Sequence, residues 1–182
     1  MIVLLNGAFG IGKTMVGRAL VARLPDSLLF DPEKIGLVLQ YGRRLTGRAM
    51  VDFQDLPSWR RLTVLGLQTA RKFRSNIVVP MAFSNASYLS EIRQGISRFE
   101  SQVFHFCLVA AVEEVHARLR ERGSDPNQRD GAWQYRRATE CCAVHGQRIF
   151  AEQVSAVGRG PEEIAQELFD SINKSVAAGS KA

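Results

Sequence analysis

The chain has 182 residues, 46% of them hydrophobic, with a formal net charge of +6 to which arginine contributes most. This length fits a single domain, and no apolar run reaches the about 18 residues that a membrane-spanning helix needs. The three cysteines do not have the spacing of metal ligands, which favours reduced thiols in a cytoplasmic protein over a disulfide framework or a zinc site. The sequence contains no basic run with interleaved aromatic residues, so it gives no indication of nucleic-acid binding.

The first element is a short apolar strand, residues 2–5, that leads into a glycine-rich loop and a helix. The loop matches Gly-x-x-x-x-Gly-Lys-Ser/Thr, the phosphate-binding loop of nucleotide-binding proteins. It consists of Gly7, Ala8, Phe9, Gly10, Ile11, Gly12, Lys13 and Thr14. Its backbone N–H groups would converge on phosphate, Lys13 would reach the β- and γ-phosphates, and Thr14 would offer its hydroxyl to Mg²⁺. The sequence therefore predicts binding of ATP with Mg²⁺.

A second strand, residues 27–30, ends at Asp31. One interpretation of Asp31 is a cap on the next helix, predicted for residues 32–41 with Pro32 in its first turn. The other is functional, because ligands of a doubly wound sheet bind beyond the carboxyl ends of its strands. There a carboxylate can orient Mg²⁺-bound water or accept the proton of a substrate hydroxyl. Asp31 is therefore a candidate metal, substrate and catalytic residue.

Residues 42–51 are polar and basic and predict a loop or mobile flap. The acids and the aromatic residue that follow, Asp52, Asp55 and Trp59, suit a substrate pocket with one apolar wall. The alternative is that Asp55 or Ser58 caps a helix that runs to about residue 74, with Trp59 in the core.

The third strand, residues 76–80, closes on Pro80, where a Walker B strand would carry Asp or Glu. The acid expected near Mg²⁺ is missing from this place, which favours Asp31 as its substitute. Phe83 and Asn85 follow at the ligand edge of the sheet and are candidate substrate contacts. Asn85 or Ser87 also suits the cap of the next helix.

The fourth strand contains His105, which we interpret as a hydrogen-bonded core histidine rather than as a base. The helix after it carries Arg118 and Arg122, four residues apart and so on one face. Two guanidinium groups on one face can stack on a base and clamp phosphate oxygens, which makes both arginines candidate nucleotide contacts. The alternative is a solvated face on which they pair with Glu114 and Glu121.

Turn-forming residues dominate from 124 to 131, where small P-loop kinases carry a closing lid. We therefore predict a lid at about residues 123–137, and a helix over residues 133–148 that begins within it. Arg129 within it is a candidate catalytic contact to the transferring phosphoryl group, and the arginines at 136 and 137 are further phosphate contacts.

A fifth strand is predicted for residues 150–157, and Arg159 lies in the turn that follows. In a nucleotide kinase this turn lies beside the adenine, so Arg159 is a candidate cofactor contact. Pro161 starts the last helix. A single kinase-like domain is expected over residues 1–176, with a disordered tail at 177–182.

Three segments together resemble the bacterial tunicamycin-resistance ATP-binding family: residues 31–36, 52–60 and 78–81. The resemblance runs from Met1 to about Gly123. It implies an ATP-binding, membrane-associated protein that is similar to small-molecule kinases and protects against tunicamycin, a nucleoside antibiotic. Whether such a protein phosphorylates the drug or sequesters it is left open.

The resemblance also implies roles for individual residues. The phosphate loop, Gly7–Thr14, would hold the phosphates. Asp31 would be the substrate-facing carboxylate of shikimate- and gluconate-kinase-like enzymes. Arg118 and Arg122 would be the paired arginines of adenylate-kinase-like folds.

We therefore expect an α/β fold: a three-layer α/β/α P-loop domain with a five-stranded parallel sheet in the order 2-3-1-4-5, as in nucleoside and shikimate kinases. The expected activity is phosphoryl transfer from ATP to a hydroxyl of a small molecule such as a nucleoside antibiotic. The residues expected to act on the phosphoryl group are Lys13, Asp31, Arg122 and Arg129. The alternative is ATP-dependent drug binding without chemistry. Peripheral association with the inner face of the membrane stays open.

Overall fold

The computed structural model describes residues 1–47 and 52–179. Within them, parallel strands form a 5-stranded sheet in the order β2-β3-β1-β4-β5, which confirms the predicted fold class and strand order. The strands are β1 (Ile2–Gly7), β2 (Ser27–Leu29), β3 (Asn76–Met81), β4 (Val103–Val109) and β5 (Glu152–Ser155).

Helices cover both faces of this sheet. They are α1 (Lys13–Val21), α2 (Glu33–Leu45), α3 (Pro57–Arg71), α4 (Ala86–Ser97), α5 (Val112–Glu121), α6 (Arg129–His145) and α7 (Pro161–Gly179). Short 3₁₀ turns lie at Phe53–Asp55 and Arg148–Phe150. No described helix is both long and apolar enough to cross a membrane.

The central strand β1 is buried along its whole length, as expected for a strand covered on both faces. Its alternate residues contribute to two separate cores. On one face Leu5 packs with Leu20 of α1 and Leu168 of α7. On the other, Leu4 lies in the core that Leu67 of α3 and its neighbours form. The sheet therefore holds the carboxyl end of β1, where the phosphate loop starts, in a fixed position.

Pro80 lies inside β3, opposite Leu5 of β1. The Phe30 N–H donates to the Val78 carbonyl at 2.9 Å, and pairing with β2 ends there. Residues 78 and 80 point their backbone groups to the same side, so the missing N–H of Pro80 falls where β2 has left the sheet. The last two residues of β3, Pro80 and Met81, thus include no carboxylate.

Two predicted loops are partly helical. Helix α2 continues to Leu45, because the predicted flap begins with residues that suit a helix, including Arg43 and Arg44. The rest of the flap, residues 48–51, lies outside the described residues. Helix α6 begins at Arg129, so most of the predicted lid is helix and only residues 122–128 connect α5 to it.

The observed boundaries of the last strand and the last helix also differ from the predicted ones. Strand β5 is shorter than expected because Phe150 belongs to a 3₁₀ turn. Helix α7 extends to Gly179, so the first residues of the predicted tail continue a helix. Residues 180–182 lie outside the described residues.

Candidate functional site

The phosphate loop bends through glycines with positive φ. Gly10 has φ +87° and Gly12 has φ +107°, a region that other residues rarely adopt. A Cβ atom at Gly10 would also lie 2.7 Å from the Leu119 side chain. Gly12 is the N-cap of α1, which begins at Lys13. The Met15 N–H donates to the Gly12 carbonyl at 2.9 Å, while the Lys13 and Thr14 N–H groups lie at the start of the helix, where no earlier helical carbonyl can accept, and can bind an anion.

A cavity of about 310 Å³ opens above this loop. We call it the phosphate cavity. It is lined by Phe9, Gly10, Gly12, Lys13, Thr14, Met15, Asp31, Glu33, Pro80 and Arg122. The fold thus brings together the loop, the predicted carboxylate Asp31 and the predicted cation Arg122. Glu33 and Pro80 lie beside them.

Lys13 is buried, and its Nζ donates to the Ala8 carbonyl at 2.8 Å. Burial lowers the pKa of this ammonium, and the nearby Glu33 carboxylate opposes that effect. The loop therefore holds a positive charge in a position with little solvation. Phosphate oxygens bound there would compensate for the lost hydration.

Glu33 is the site residue that sequence reasoning missed. Burial raises the pKa of its carboxyl, the Lys13 charge lowers it, and the Asp31 and Asp52 carboxylates raise it. The sequence Asp31-Pro32-Glu33 indicates a second carboxylate at the site, since it places Asp31 at a strand end and Glu33 in the first turn of the next helix. An acid in the first turn of a helix usually interacts with the helix dipole, so a functional role of Glu33 could not be inferred from its position alone.

Asp31 lies both at the start of α2 and at the phosphate cavity. Its Oδ1 accepts a hydrogen bond from the Glu33 N–H at 3.0 Å, as a residue at a helix start does. The same side chain lines the phosphate cavity. One carboxylate oxygen is therefore fixed by the backbone.

No three Cys, His, Asp or Glu side chains among the described residues are arranged to hold a metal ion. Mg²⁺ in phosphoryl-transfer sites takes most of its ligands from phosphates and water, with one or two protein groups. The Thr14 hydroxyl and the Asp31 carboxylate, both at the phosphate cavity, fit that smaller role.

The Arg118 guanidinium is committed to protein groups. Its Nη1 donates to the Ile11 carbonyl at 2.8 Å, and its Nη2 donates to the Ala156 carbonyl at 2.6 Å and to Glu114 at 2.7 Å. The predicted ion pair of Arg118 with Glu114 is confirmed. Arg122 lies at the end of α5 and lines the phosphate cavity. Arg118 thus connects the phosphate loop to the turn after β5.

Replacing Arg118 by Met should lower the free energy of unfolding by about 2 kcal/mol, because hydrogen bonds from a charged donor are lost and carbonyls are left unpaired. Affinity for an ATP analogue should fall as well, since the loop loses its support at Ile11. Urea unfolding and calorimetry would measure both. The control Arg120→Met removes an exposed arginine from the same helix and should change little. Equal effects of the two variants would contradict the role of Arg118.

Two other predicted nucleotide contacts lie elsewhere. Arg129 is exposed at the start of α6 and does not line the phosphate cavity. Arg159 pairs with Glu163 at 2.7 Å and Glu167 at 2.6 Å of α7. In this structure Arg159 holds the turn after β5 against α7.

The two predicted aromatic substrate contacts belong to the interior. Trp59 is 1% exposed and Phe83 is 0% exposed, with their ring centroids 5.7 Å apart. The Trp59 Nε1–H donates to the Pro32 carbonyl at 2.9 Å. The core alternative for Trp59 is therefore correct, and its role is to position the start of α2, where Asp31 and Glu33 lie.

The remaining predicted substrate residues are engaged with the protein. Asp52 caps a 3₁₀ turn and lies 3.6 Å from the Arg137 guanidinium. Asp55 is exposed and accepts from the Tyr88 hydroxyl at 3.2 Å. Asn85 accepts from the Ser87 N–H at 2.9 Å, which confirms the predicted cap of α4. The capping of α3 by Asp55 or Ser58 is wrong, because α3 begins at Pro57 without a side-chain cap.

Phe9 of the phosphate loop contacts the lid region. Its ring packs edge to face on Trp133 of α6, with centroids 5.3 Å apart. Phe9 also lines the phosphate cavity. Movement of the loop or of α6 on nucleotide binding would therefore change the environment of Trp133.

Nucleotide binding should change the fluorescence of the chain, which has two tryptophans. Trp59 is fully buried away from the cavity, so the change should come from Trp133. Titration with a non-hydrolysable ATP analogue would measure it, and Trp133→Phe should abolish it. A full response in that variant would show that α6 does not sense the loop.

Comparison with known proteins gives structural relatives. No protein-family model matches the sequence, and no curated protein matches it. The tunicamycin resistance protein of Deinococcus radiodurans is 28% identical in sequence, over 94% of this chain and 94% of that chain, with a TM-score of 0.73.

Two kinases are similar in fold. A gluconokinase from Sinorhizobium meliloti 1021 is 15% identical, over 94% of this chain and 91% of that chain, with a TM-score of 0.65. The shikimate kinase of Acinetobacter baumannii, solved with shikimate, is 17% identical, over 96% of this chain and 93% of that chain, with a TM-score of 0.59. These neighbours bear out the resemblance stated from the sequence and are consistent with a P-loop kinase-like family.

Proposed function

We propose that the chain is a small-molecule kinase that transfers the γ-phosphoryl group of ATP to a substrate hydroxyl. The observation that carries this proposal is the composition of the phosphate cavity, where Lys13, Arg122 and two carboxylates surround the phosphate loop. Phosphoryl transfer needs positive charge around the transferring group and an acceptor for the hydroxyl proton. The similarity to gluconokinase and shikimate kinase folds supports the same reaction class.

In this reaction the substrate oxygen forms a bond to the γ-phosphorus. At the same time the bond breaks between the γ-phosphorus and the oxygen that bridges it to the β-phosphate, and ADP leaves. Lys13 and Arg122 stabilise the charge on the phosphoryl oxygens. The hydroxyl proton goes to a carboxylate of the cavity. Mg²⁺ would neutralise charge on the phosphates, with Thr14 and Asp31 holding it.

Of the two carboxylates, Glu33 fits the base better. Its pKa is raised by burial, toward the range in which a general base works, and no described residue fixes its oxygens with a hydrogen bond. One oxygen of Asp31 is held by the helix start, which suits a fixed orienting role toward metal-bound water. This assignment moves the proton acceptor from Asp31, as expected from the sequence, to its neighbour.

Tunicamycin is the first substrate to test, because the tunicamycin resistance protein is 28% identical to this chain. A panel of nucleosides, gluconate and shikimate completes the screen. Mass spectrometry of the products, with ADP release, would identify a phosphorylated compound. Failure of every hydroxyl compound to gain a phosphoryl group would count against the proposal.

The second candidate function is ATP-dependent drug binding without chemistry. Pro80 and Met81, the last two residues of β3, favour it, since neither supplies the Walker B acid. Calorimetry separates the two functions: tight binding of tunicamycin that requires ATP and yields no phosphorylated product would support sequestration.

A further inference from the structure

A second and larger cavity, of about 750 Å³, lies away from the phosphate loop. We call it the basic groove. It is lined by Arg93, Val103, His105, Gly146, Arg148, Ile149, Ala151, Glu152 and Gln153, and it shares no residue with the phosphate cavity. Pairing of β4 with β5 starts at Phe106, so residues 103–105 have no strand neighbour on that side, and Val103 and His105 form the floor of the groove.

His105 in this floor is not the hydrogen-bonded histidine expected from the sequence. Neither ring nitrogen has a hydrogen-bond partner among the described residues. Burial and the nearby Arg93 charge lower its pKa to about 4, so the ring is neutral and offers one N–H donor and one acceptor. Both ring nitrogens are enclosed by protein, so His105 contributes a neutral ring beside the groove and not a hydrogen-bonding group within it.

The groove carries excess positive charge. Arg93 projects from α4 and Arg148 from the 3₁₀ turn before β5, and neither forms an ion pair or side-chain hydrogen bond with a described residue. Glu152 is the carboxylate at the groove, and the Gln153 amide is occupied by the Gly146 carbonyl at 2.6 Å. Two unpaired guanidinium groups against one carboxylate attract anions, and their planar donors match carboxylate and phosphate oxygens.

One wall of the groove is strained. Ala151 has φ +102° and ψ −172°, a combination that costs free energy for any residue except glycine. The surrounding fold keeps Ala151 in this conformation between Arg148 and Glu152. Strained backbone of this kind is concentrated at ligand sites, and here it shapes the same groove that the two arginines line.

We propose that the basic groove binds a small polyanion, a molecule with two or more carboxylate or phosphate groups, separately from the nucleotide. Arg93 and Arg148 hold the anionic groups, and the neutral His105 ring lies beside them in the lining of the groove. The groove is large enough for a metabolite-sized ligand. The proposal does not depend on the identity of the kinase substrate.

Citrate is the probe, and the His105 imidazole signals in NMR spectra are the readout, because this ring lines the groove. Citrate should shift these signals in a saturable way, and the shift should persist with an ATP analogue bound at the phosphate loop. Arg93→Gln and Arg148→Gln should each weaken citrate binding at His105 tenfold or more. The matched control is Arg98→Gln, which removes an exposed arginine at the end of α4 that does not line the groove.

Three results would overturn the proposal. One is that the His105 NMR signals do not shift even at citrate concentrations high enough to displace the ATP analogue from the phosphate loop. Another is competition at His105 by the ATP analogue itself. The third is equal weakening by Arg98→Gln and the two groove variants, which would indicate general charge attraction. Thermal unfolding of each variant verifies that the fold is retained.

Discussion

Replacing Lys13 by Met should lower phosphoryl transfer by about a hundredfold to a thousandfold, the effect of removing one preorganised charge from the transition state. The Lys13 ammonium is buried and held by the Ala8 carbonyl, so no other cation can move into its place without rebuilding the loop. Affinity for ATP should fall too, because bound phosphate compensates for the lost hydration of this charge.

Steady-state kinetics with the substrate identified in the screen would measure the effect. Arg18→Met is the matched control, since it removes an exposed cation from the same helix. Its rate should stay within about twofold of the parent, because exposed substitutions change little. A Lys13→Met rate equal to that of Arg18→Met would mean that the phosphate loop does not take part in catalysis.

Glu33→Gln should lower kcat by about a hundredfold to ten-thousandfold, the usual contribution of a positioned base. Asp31→Asn should instead raise the Mg²⁺ concentration needed for half-maximal activity. Glu113→Gln, an exposed change on α5, is the control for both. If Asp31→Asn removed the base activity and Glu33→Gln did not, the two roles would be exchanged.

The pH dependence separates a base from a structural residue. The pKa of Glu33 is raised by burial, so the parent rate should fall as pH decreases through that raised pKa and the carboxyl becomes protonated. Glu33→Gln should lose this acidic limb. A parent rate that does not change over that pH range would contradict a base at Glu33.

The same shift has a consequence for stability. Because the folded-state pKa of Glu33 lies above its ordinary value, ionising the carboxyl costs folding free energy. The cost is absent below the ordinary pKa and is complete above the raised one. Glu33→Gln should therefore be at least as stable as the parent at neutral pH, which separates loss of activity from loss of fold. Urea unfolding would check this.

The sequence pattern predicts the parts of the site that depend on local chain geometry. The phosphate loop follows from glycine spacing between a strand and a helix, and Asp31 follows from its place at a strand end. The strand order came from analogy with P-loop kinases and is confirmed. The apolar run locates the third strand, and the structure ends this strand at Met81, one residue beyond Pro80.

The remaining parts depend on contacts between distant segments. Arg118 meets the Ile11 carbonyl across 107 positions of sequence, so no local pattern could show that its donors are taken. Trp59 and Phe83 are apolar residues near a ligand edge, and only the packed core shows that they are buried. The lid prediction relied on turn-forming residues, but α6 begins at Arg129 with an acid in its first turn, which favours a helix start.

The most direct test is incubation of the protein with ATP, Mg²⁺ and tunicamycin, followed by mass analysis of the drug and measurement of ADP. The nucleoside and sugar-acid panel runs in parallel. We predict one hydroxyl compound that gains a phosphoryl group in equal amount to the ADP formed, and about a hundredfold to a thousandfold slower formation of this product with Lys13→Met. Tunicamycin bound tightly in the presence of ATP, with neither phosphorylated product nor ADP from any compound, would contradict a kinase.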